Sequence, residues 1–189
     1  SRIEYTLVDK ANKKYFEANE REKRVHHLRM TVIDQINEAV KELSKERGED
    51  ISQYIYETAV VGNSTMRNLF CGLDVSSLGI IPYETAHTDA VVKTPDEIGL
   101  HTNEAGTVYG CALIGGHVGA DIVADILASG MYKDEGISLL IDIGTNGEVV
   151  LGNKDRMISA SCAAGGAFEG ASVSCGIGGI EGAIKKIEI

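Results

Sequence analysis

The sequence predicts an α/β fold in which helices flank a mixed or antiparallel sheet. Three observations predict it: a helical apolar stripe over residues 25–43, a strand–glycine–helix unit over residues 55–70, and three successive β-type runs over residues 137–162. The 189 residues, 43% of them apolar and 24% charged, suffice for one good hydrophobic core or two small ones.

The first element is a long amphipathic helix. Apolar residues recur at steps of three and four among charged ones, which places them on one face of a helix. These positions are Val25, Leu28, Val32, Ile36, Val40 and Leu43. Gly48 follows as a natural stop, because glycine readily adopts the left-handed conformation that ends many helices.

The segment IYETAVVGNSTMRNLF (55–70) reads as a strand, a glycine turn and a short helix. Gly62 and Asn63 form the turn, and Ser64 is predicted to cap the helix. The free N–H groups of such a helix start attract an anion or a polar ligand edge. A capped helix without any ligand explains the same pattern equally well.

Residues 72–106 hold both prolines, Pro82 and Pro95, and read as an irregular connection with one strand at 88–93. We predict a boundary between two subdomains at the end of this connection, after residue 106.

A further strand begins at residue 107 and runs into glycines, and a helix of small residues covers 118–130, ending at Gly130. The glycines between strand and helix permit close approach of a neighbouring element or of a ligand. They are Gly115, Gly116 and Gly119.

Three strands at 137–142, 147–152 and 156–162 are predicted to form an antiparallel meander. Asn146-Gly147 lies between the first two and is typical of a tight type I′ hairpin turn, since both residues tolerate positive φ. The last eight residues, 182–189, alternate as another strand. A chain seldom begins or ends inside an element, so we expect both ends to lie within a longer protein.

The first hairpin also carries candidate chemistry. Asp142 ends the strand, and the turn that follows contains backbone N–H groups, a hydroxyl and a side-chain amide. Phosphate sites combine such groups with a carboxylate. These turn residues are Gly144, Thr145, Asn146 and Gly147. Asp142 is the candidate magnesium ligand, although a simple hairpin turn remains an open alternative at this point.

A second glycine cluster, residues 164–170, includes Gly165, Gly166 and Glu169. It matches neither the P-loop nor the dinucleotide-binding fingerprint. Glu148 and Glu169 are candidates for groups that support the metal site or activate water.

The bulk properties exclude several functions. Acidic side chains outnumber basic ones by ten over residues 51–189, whereas residues 1–50 carry 11 of each, so nucleic acid is a poor partner. The four cysteines form no metal-binding spacing. No apolar run is long enough to cross a bilayer, and no export signal is visible, so we expect no membrane partner and a cytoplasmic location.

Four segments together resemble a known family: AVVGNSTM (59–66), IDIGTNGE (141–148), AAGGAFEGA (163–171) and GAIKKIEI (182–189). They are similar to the ATP-dependent reductive activators of corrinoid proteins, in the superfamily of acetate and sugar kinases, heat-shock chaperones and actin (ASKHA). The resemblance implies RNase-H-like subdomains with ATP and Mg²⁺ in the cleft between them. It also implies that ATP hydrolysis helps a [2Fe–2S] domain reduce cobalt(II) of a corrinoid protein to cobalt(I), in support of methyl-transfer metabolism.

In that picture residues 1–106 form the C-terminal part of the first ASKHA subdomain and its connection, and residues 107–189 form the linking helix and the start of the second. Asp142, in the phosphate loop, holds Mg²⁺ through water. Gly62, Asn63 and Ser64 lie at a helix start at the end of the first subdomain. The segment 115–121 matches the linking helix, whose small residues permit hinging.

The resemblance further implies that a ferredoxin-like domain and a first phosphate loop precede this chain and that more of the second subdomain follows it. We therefore expect the isolated chain to be inactive as an ATPase. Two other functions stay open: a docking scaffold for the corrinoid protein without nucleotide binding of its own, and a small-molecule kinase of the same superfamily. A homodimer is also left open.

Overall fold

The computed structural model describes residues 8–9, 14–15, 17–144 and 146–163, and the chain divides into two compact units, Ser1–Gly130 and Met131–Ile189. Thr145 and the predictions made for residues 164–189, including the strand at 182–189, lie outside the described residues. Helices and both parallel and antiparallel strand pairs occur, as the predicted α/β class requires.

Unit 1 begins with the short antiparallel pair β1 (Val8–Asp9) and β2 (Lys14–Tyr15), followed by the helix α1 (Ala18–Arg47). Gly48 ends α1 at φ 73°, as predicted, and its N–H group donates to the last turn of the helix.

The packed face of α1 differs in its centre from the predicted stripe. Ile33, which the stripe omitted, is fully buried, whereas Leu43 is about half exposed. Arg29 and Asn37 also hold the middle of the helix: Arg29 donates to the carbonyl oxygens of Phe70 and Ile98, and Asn37 bonds Gly99 and His101. The middle of the predicted stripe therefore makes the contact with the rest of the unit.

The sheet of unit 1 is mixed. The strand β3 (Glu57–Val60) runs parallel to β5 (Thr107–Gly110), and β5 is antiparallel to β4 (Val91–Lys93), in the order β3-β5-β4. The strands predicted at 55–61, 88–93 and from 107 are thus confirmed, although each is shorter than its apolar run.

Helix α2 (Ser64–Phe70) follows β3, and the single turn α3 (Pro95–Ile98) follows β4. Thr94 and Glu97 form a complete capping box on α3, with Pro95 in the first turn. Short 3₁₀ turns occur at Ser52–Tyr54 and Ser76–Gly79.

One hydrophobic core joins α1, α2 and the sheet. Its buried members come from every layer of the unit, so the helix and the strands depend on one another for burial. They are Ile33, Phe70, Cys71, Ile98, Leu100 and Val108.

Helix α4 (Ala120–Ser129) ends at Gly130 in the left-handed conformation, as predicted. The division between compact units falls after Gly130, whereas the sequence predicted a boundary after residue 106. The difference arises because β5, placed by the prediction beyond the boundary, is the central strand of the unit 1 sheet.

Unit 2 contains the predicted antiparallel meander of β6 (Ser138–Ile143), β7 (Asn146–Gly152) and β8 (Met157–Ala163), preceded by the 3₁₀ turn Met131–Lys133. The hairpin turn lies one to two residues earlier than predicted. Asn146 and Gly147 belong to β7, where they pair with Ala163 and Cys162 of β8, and Gly147 also faces Ile143. Pairing on both sides of β7 thus draws Asn146-Gly147 into the sheet.

Over the described residues, none of the helices combines the length and the apolar character that crossing a bilayer requires.

Candidate functional site

The predicted metal ligand Asp142 lies in a row of polar side chains across the unit 2 sheet. Asp142 of β6 is directly opposite Glu148 of β7, which is opposite Ser161 of β8. Residues directly opposite in a sheet share one face, with Cβ atoms about 5 Å apart. Two carboxylates therefore stand side by side near the end of the hairpin.

Hydrogen bonding orients one of the two carboxylates. The Ser161 hydroxyl donates to Oε1 of Glu148 at 2.9 Å, and both carboxylate residues are half-buried. Beside them, the Gly144 N–H donates to the Asn146 carbonyl oxygen at 2.9 Å, and this hydrogen bond closes the turn between β6 and β7. The sheet thus places a carboxylate pair next to the turn at Gly144. The sequence predicted Asp142 beside this turn, whereas Asn146 and Gly147, which it placed in the turn, are residues of β7.

A metal bound by protein groups alone is not indicated here, because no cluster of three or more histidine, cysteine or acidic side chains occurs among residues 17–144 and 146–163. One or two carboxylates, with water and phosphate oxygens completing the shell, are the usual protein contribution to Mg²⁺. The donor set at Asp142 and Glu148 fits that ion.

The glycine turn after β3 is built differently from the prediction. Asn63, and not Ser64, caps α2: its side-chain oxygen accepts from the Met66 N–H at 2.9 Å. Ser64 is the first residue of the helix, is buried, and donates its hydroxyl to the Gly115 carbonyl at 2.5 Å. Both side chains are therefore engaged within the protein.

The same turn holds the start of α4. The Gly62 carbonyl accepts from the Ala120 N–H at 2.9 Å, and the Asp121 carboxylate accepts from the Ile122 N–H at 3.0 Å. A Cβ on Gly119 would lie 2.5 Å from Cα of Asn63, so glycine is required there. The close approach permitted by Gly119 thus serves a neighbouring element.

Gly116 also packs against a neighbouring segment, at the Tyr83 carbonyl, whereas the position of a Cβ on Gly115 is open. Of the candidate residues, Gly62, Asn63 and Ser64 belong to unit 1, and Asp142, Glu148 and the turn that follows β6 belong to unit 2. Thr145, Gly165, Gly166 and Glu169 lie outside the described residues.

Sequence reasoning missed Arg67, which is the largest fully buried side chain in the part of the chain that the structure describes. Its guanidinium donates to the carbonyl oxygens of Cys111 (2.9 Å), His87 (3.1 Å) and Asp89, and to Oδ1 of Asn68 (2.7 Å). Asn68 in turn donates to the Thr85 hydroxyl at 3.0 Å. The sequence offers little signal for this role, because a single arginine in a short helix normally faces solvent.

Two family models match consecutive parts of the chain. The RACo middle region matches residues 14–134, and the C-terminal domain of RACo, the ASKHA domain, matches residues 136–189. The chain belongs to the RACo family. The predicted ASKHA-type α/β fold and the resemblance to reductive activators of corrinoid proteins are both confirmed.

Individual relatives agree with the RACo assignment. The corrinoid activation enzyme RamQ of Eubacterium limosum is 37% identical over 170 residues, which are 90% of this chain and 28% of RamQ. The [Co(II) methylated amine-specific corrinoid protein] reductase of Methanosarcina barkeri is 41% identical over 71 residues, 38% of this chain and 13% of that protein.

A solved structure shares the fold. The reductive activator for corrinoid, iron-sulfur protein superposes with a TM-score of 0.74 at 34% identity, over 92% of this chain and 28% of that one. The RACo chain described here therefore spans little more than a quarter of the length of RamQ and of the solved activator.

Proposed function

We propose that this RACo chain is the nucleotide-binding part of an ATP-dependent reductive activator that restores cobalt(I) in a corrinoid protein. The observation that carries the proposal is the pairing of Asp142 with Glu148 beside the Gly144 turn. Like charges directly opposite in a sheet repel, by about 1 kcal/mol in water-like surroundings, and a divalent cation reverses the sign of that contribution.

Each of these residues has a separate proposed role in binding Mg·ATP. Asp142 would hold Mg²⁺, directly or through water, while Glu148, oriented by Ser161, would hold one of the metal's waters. The backbone N–H groups around Gly144 and Gly147 would face phosphate oxygens, because glycine allows close approach. Gly165, Gly166 and Glu169 of the second glycine cluster are proposed to complete this loop region.

Bound ATP would supply hydrolysis energy for an unfavourable electron transfer, and the electron would come from a [2Fe–2S] domain of the full-length protein. The partner is a corrinoid protein, the class named for the Methanosarcina barkeri reductase, and the name of RamQ specifies corrinoid activation. Because ATP and reduced electron carriers occur together in the cytoplasm, we propose that compartment. Gly62, Asn63 and Ser64 remain proposed cofactor-binding residues through their backbone groups alone, since the side chains of Asn63 and Ser64 are already bonded within unit 1.

Isothermal titration calorimetry with Mg²⁺ and a non-hydrolysable ATP analogue tests the proposal. In the full-length protein we expect 1:1 binding that Asp142→Asn weakens by about tenfold or more, because one charged ligand is lost. Asp155→Asn, in the exposed turn at the other end of the sheet, is the matched control and should bind normally. Equal binding and equal ATPase rates in wild type and Asp142→Asn would refute the metal role.

A docking scaffold without nucleotide binding is the second candidate. It is favoured if the full-length protein binds a corrinoid protein, and activates it, with no dependence on Asp142. Phosphoryl transfer to acetate or a sugar would instead favour a small-molecule kinase.

A further inference from the structure

The loop at residues 80–90 meets the loop at residues 111–119 in unit 1, and both loops expose apolar side chains. The rings of Tyr83 and His117 lie edge to face with centroids 5.5 Å apart, and Gly116 packs against the Tyr83 carbonyl. We call the exposed apolar side chains of these loops the Ile81 knob. It comprises Ile80, Ile81, Tyr83 and Ile114, of which Ile81 is the most exposed at 78%.

Hydrogen bonds from two buried side chains, Arg67 and Ser64, hold both loops in place. The Arg67 guanidinium donates to the carbonyl oxygens of His87 and Asp89 in the first loop and of Cys111 in the second. Ser64 holds the Gly115 carbonyl. The first loop is further closed by the Tyr83 N–H, which donates to the Ile80 carbonyl at 2.6 Å. The apolar side chains are therefore displayed on a preformed scaffold, which lowers the entropy cost of binding.

The loops that carry the knob are acidic. Residues 80–90 and 111–119 contain no lysine or arginine, and Glu84 and Asp89 of the first loop are exposed. A second copy of the chain would bring the same negative charges together, which opposes self-association. A protein with an apolar pocket and a basic rim has the complementary chemistry.

We propose that the Ile81 knob is the docking surface for the corrinoid protein, with Ile81 entering an apolar pocket whose rim is basic. The inference rests on the proposed function, because the corrinoid protein is the partner named there. Exposed, rigid apolar anchors with a charged rim are the usual centre of a protein interface.

Biolayer interferometry of the full-length protein against a purified cobalt(II) corrinoid protein of the methylated amine-specific class tests this surface. We expect Ile81→Ala to raise Kd by about tenfold or more, mainly through faster dissociation. Leu127→Ala removes a side chain that is 64% exposed on α4, and it should leave Kd unchanged. Glu84→Lys should slow association and weaken its dependence on salt.

The outcomes separate the two proposals. If wild type binds the corrinoid protein and Ile81→Ala binds equally well, the docking surface is wrong and the proposed function stands. If wild type binds the Mg·ATP analogue but no corrinoid protein, the docking surface and the corrinoid partner are both wrong, and the nucleotide-binding role stands. If Ile81→Ala instead turns a dimer into a monomer in sedimentation, the knob contacts a second copy, which overturns the proposal.

Discussion

The two units differ in what their apolar residues contact. In unit 1, the helical stripe of α1 meets the sheet, and Ile33, Ile98 and Val108 are almost completely buried. In unit 2, five apolar side chains of one sheet face are each more than half exposed, although their strands pair in full register. They are Leu139, Ile141, Ile143, Leu151 and Ile158.

This difference shows that regular patterning and burial are separate properties. Alternation along β6 and β7 determines which side chains share a face, and register aligns Leu139 with Leu151 and Leu151 with Ile158. Burial additionally requires a second layer, which α1 supplies in unit 1. The opposite face of the unit 2 sheet carries Asp142 and Glu148 together with the fully buried Val150, so polar and apolar side chains share that face.

A matched pair of isoleucine truncations tests the comparison most strongly. Ile33→Ala should lower the free energy of unfolding by about 2–4 kcal/mol, because it leaves a cavity in a packed core. Ile141→Ala, at a position that is 55% exposed, should cost less than about 1 kcal/mol. Urea unfolding followed by circular dichroism measures both, and equal losses would contradict the contrast between the units.

The reactivity of the cysteine thiols tests the same difference in burial between the two units. Burial raises the pKa of the Cys71 thiol in unit 1, whereas Cys162 in unit 2 is exposed on the apolar sheet face. Since the thiolate is the reactive species, iodoacetamide should modify Cys162 at least about tenfold faster at pH 8.

Timed alkylation and peptide mass spectrometry measure this ratio. Modification in urea, where both thiols are accessible, is the control and should remove the difference. Faster reaction of Cys71 under native conditions would show that the core of unit 1 opens readily.

The carboxylate pair in unit 2 should oppose folding until a cation is present. Glu148→Gln is expected to raise the free energy of unfolding by up to about 1 kcal/mol in chelator, because it removes like-charge repulsion with Asp142. Adding millimolar Mg²⁺ should stabilise wild type more than the variant. Thermal unfolding in EDTA and in Mg²⁺ provides the measurement, and a wild type that is insensitive to Mg²⁺ would argue against a cation at this pair.

The smallest expected effect concerns acid and the capping box of unit 1. The hydrogen bond from the Thr94 N–H, helped by the Thr94 hydroxyl, lowers the pKa of Glu97. A lowered folded-state pKa stabilises the protein above the unfolded value of about 4.3, and that contribution disappears as the pH falls through the folded value.

Glu97→Gln should therefore reduce the loss of melting temperature between pH 5 and pH 3. Glu104→Gln replaces an exposed glutamate in a loop of the same unit and serves as the control. Identical acid sensitivity in wild type and Glu97→Gln would show that the capping box does not contribute.

Much of the fold could be predicted because its signals are local. The α1 stripe with Gly48, the helix ending at Gly130 and the three strands of the meander follow from periodicity and glycine placement within one segment. The position of Asp142 beside a glycine turn was predicted for the same reason, since one hairpin contains both. Its role as a magnesium ligand remains a prediction.

Other features depend on distant segments. Asn63 replaced Ser64 as the helix cap because the Ser64 hydroxyl bonds Gly115, which lies 51 residues away. Arg67 donates to the carbonyl oxygens of His87, Asp89 and Cys111. The residues next to Arg67 in the sequence do not indicate these contacts. The domain boundary differed because β5 pairs with β3 and β4 of the preceding segment.

The sequence by itself determined the main elements, their order, the place of Asp142 beside a hairpin turn, and the family resemblance, since backbone propensities and motifs act over a few residues. Only the tertiary structure decided which apolar faces are buried, which side chain caps α2, and that a buried arginine holds two loops. The physical reason is that burial and long-range hydrogen bonds depend on which distant surfaces meet, and that is a property of the packed chain.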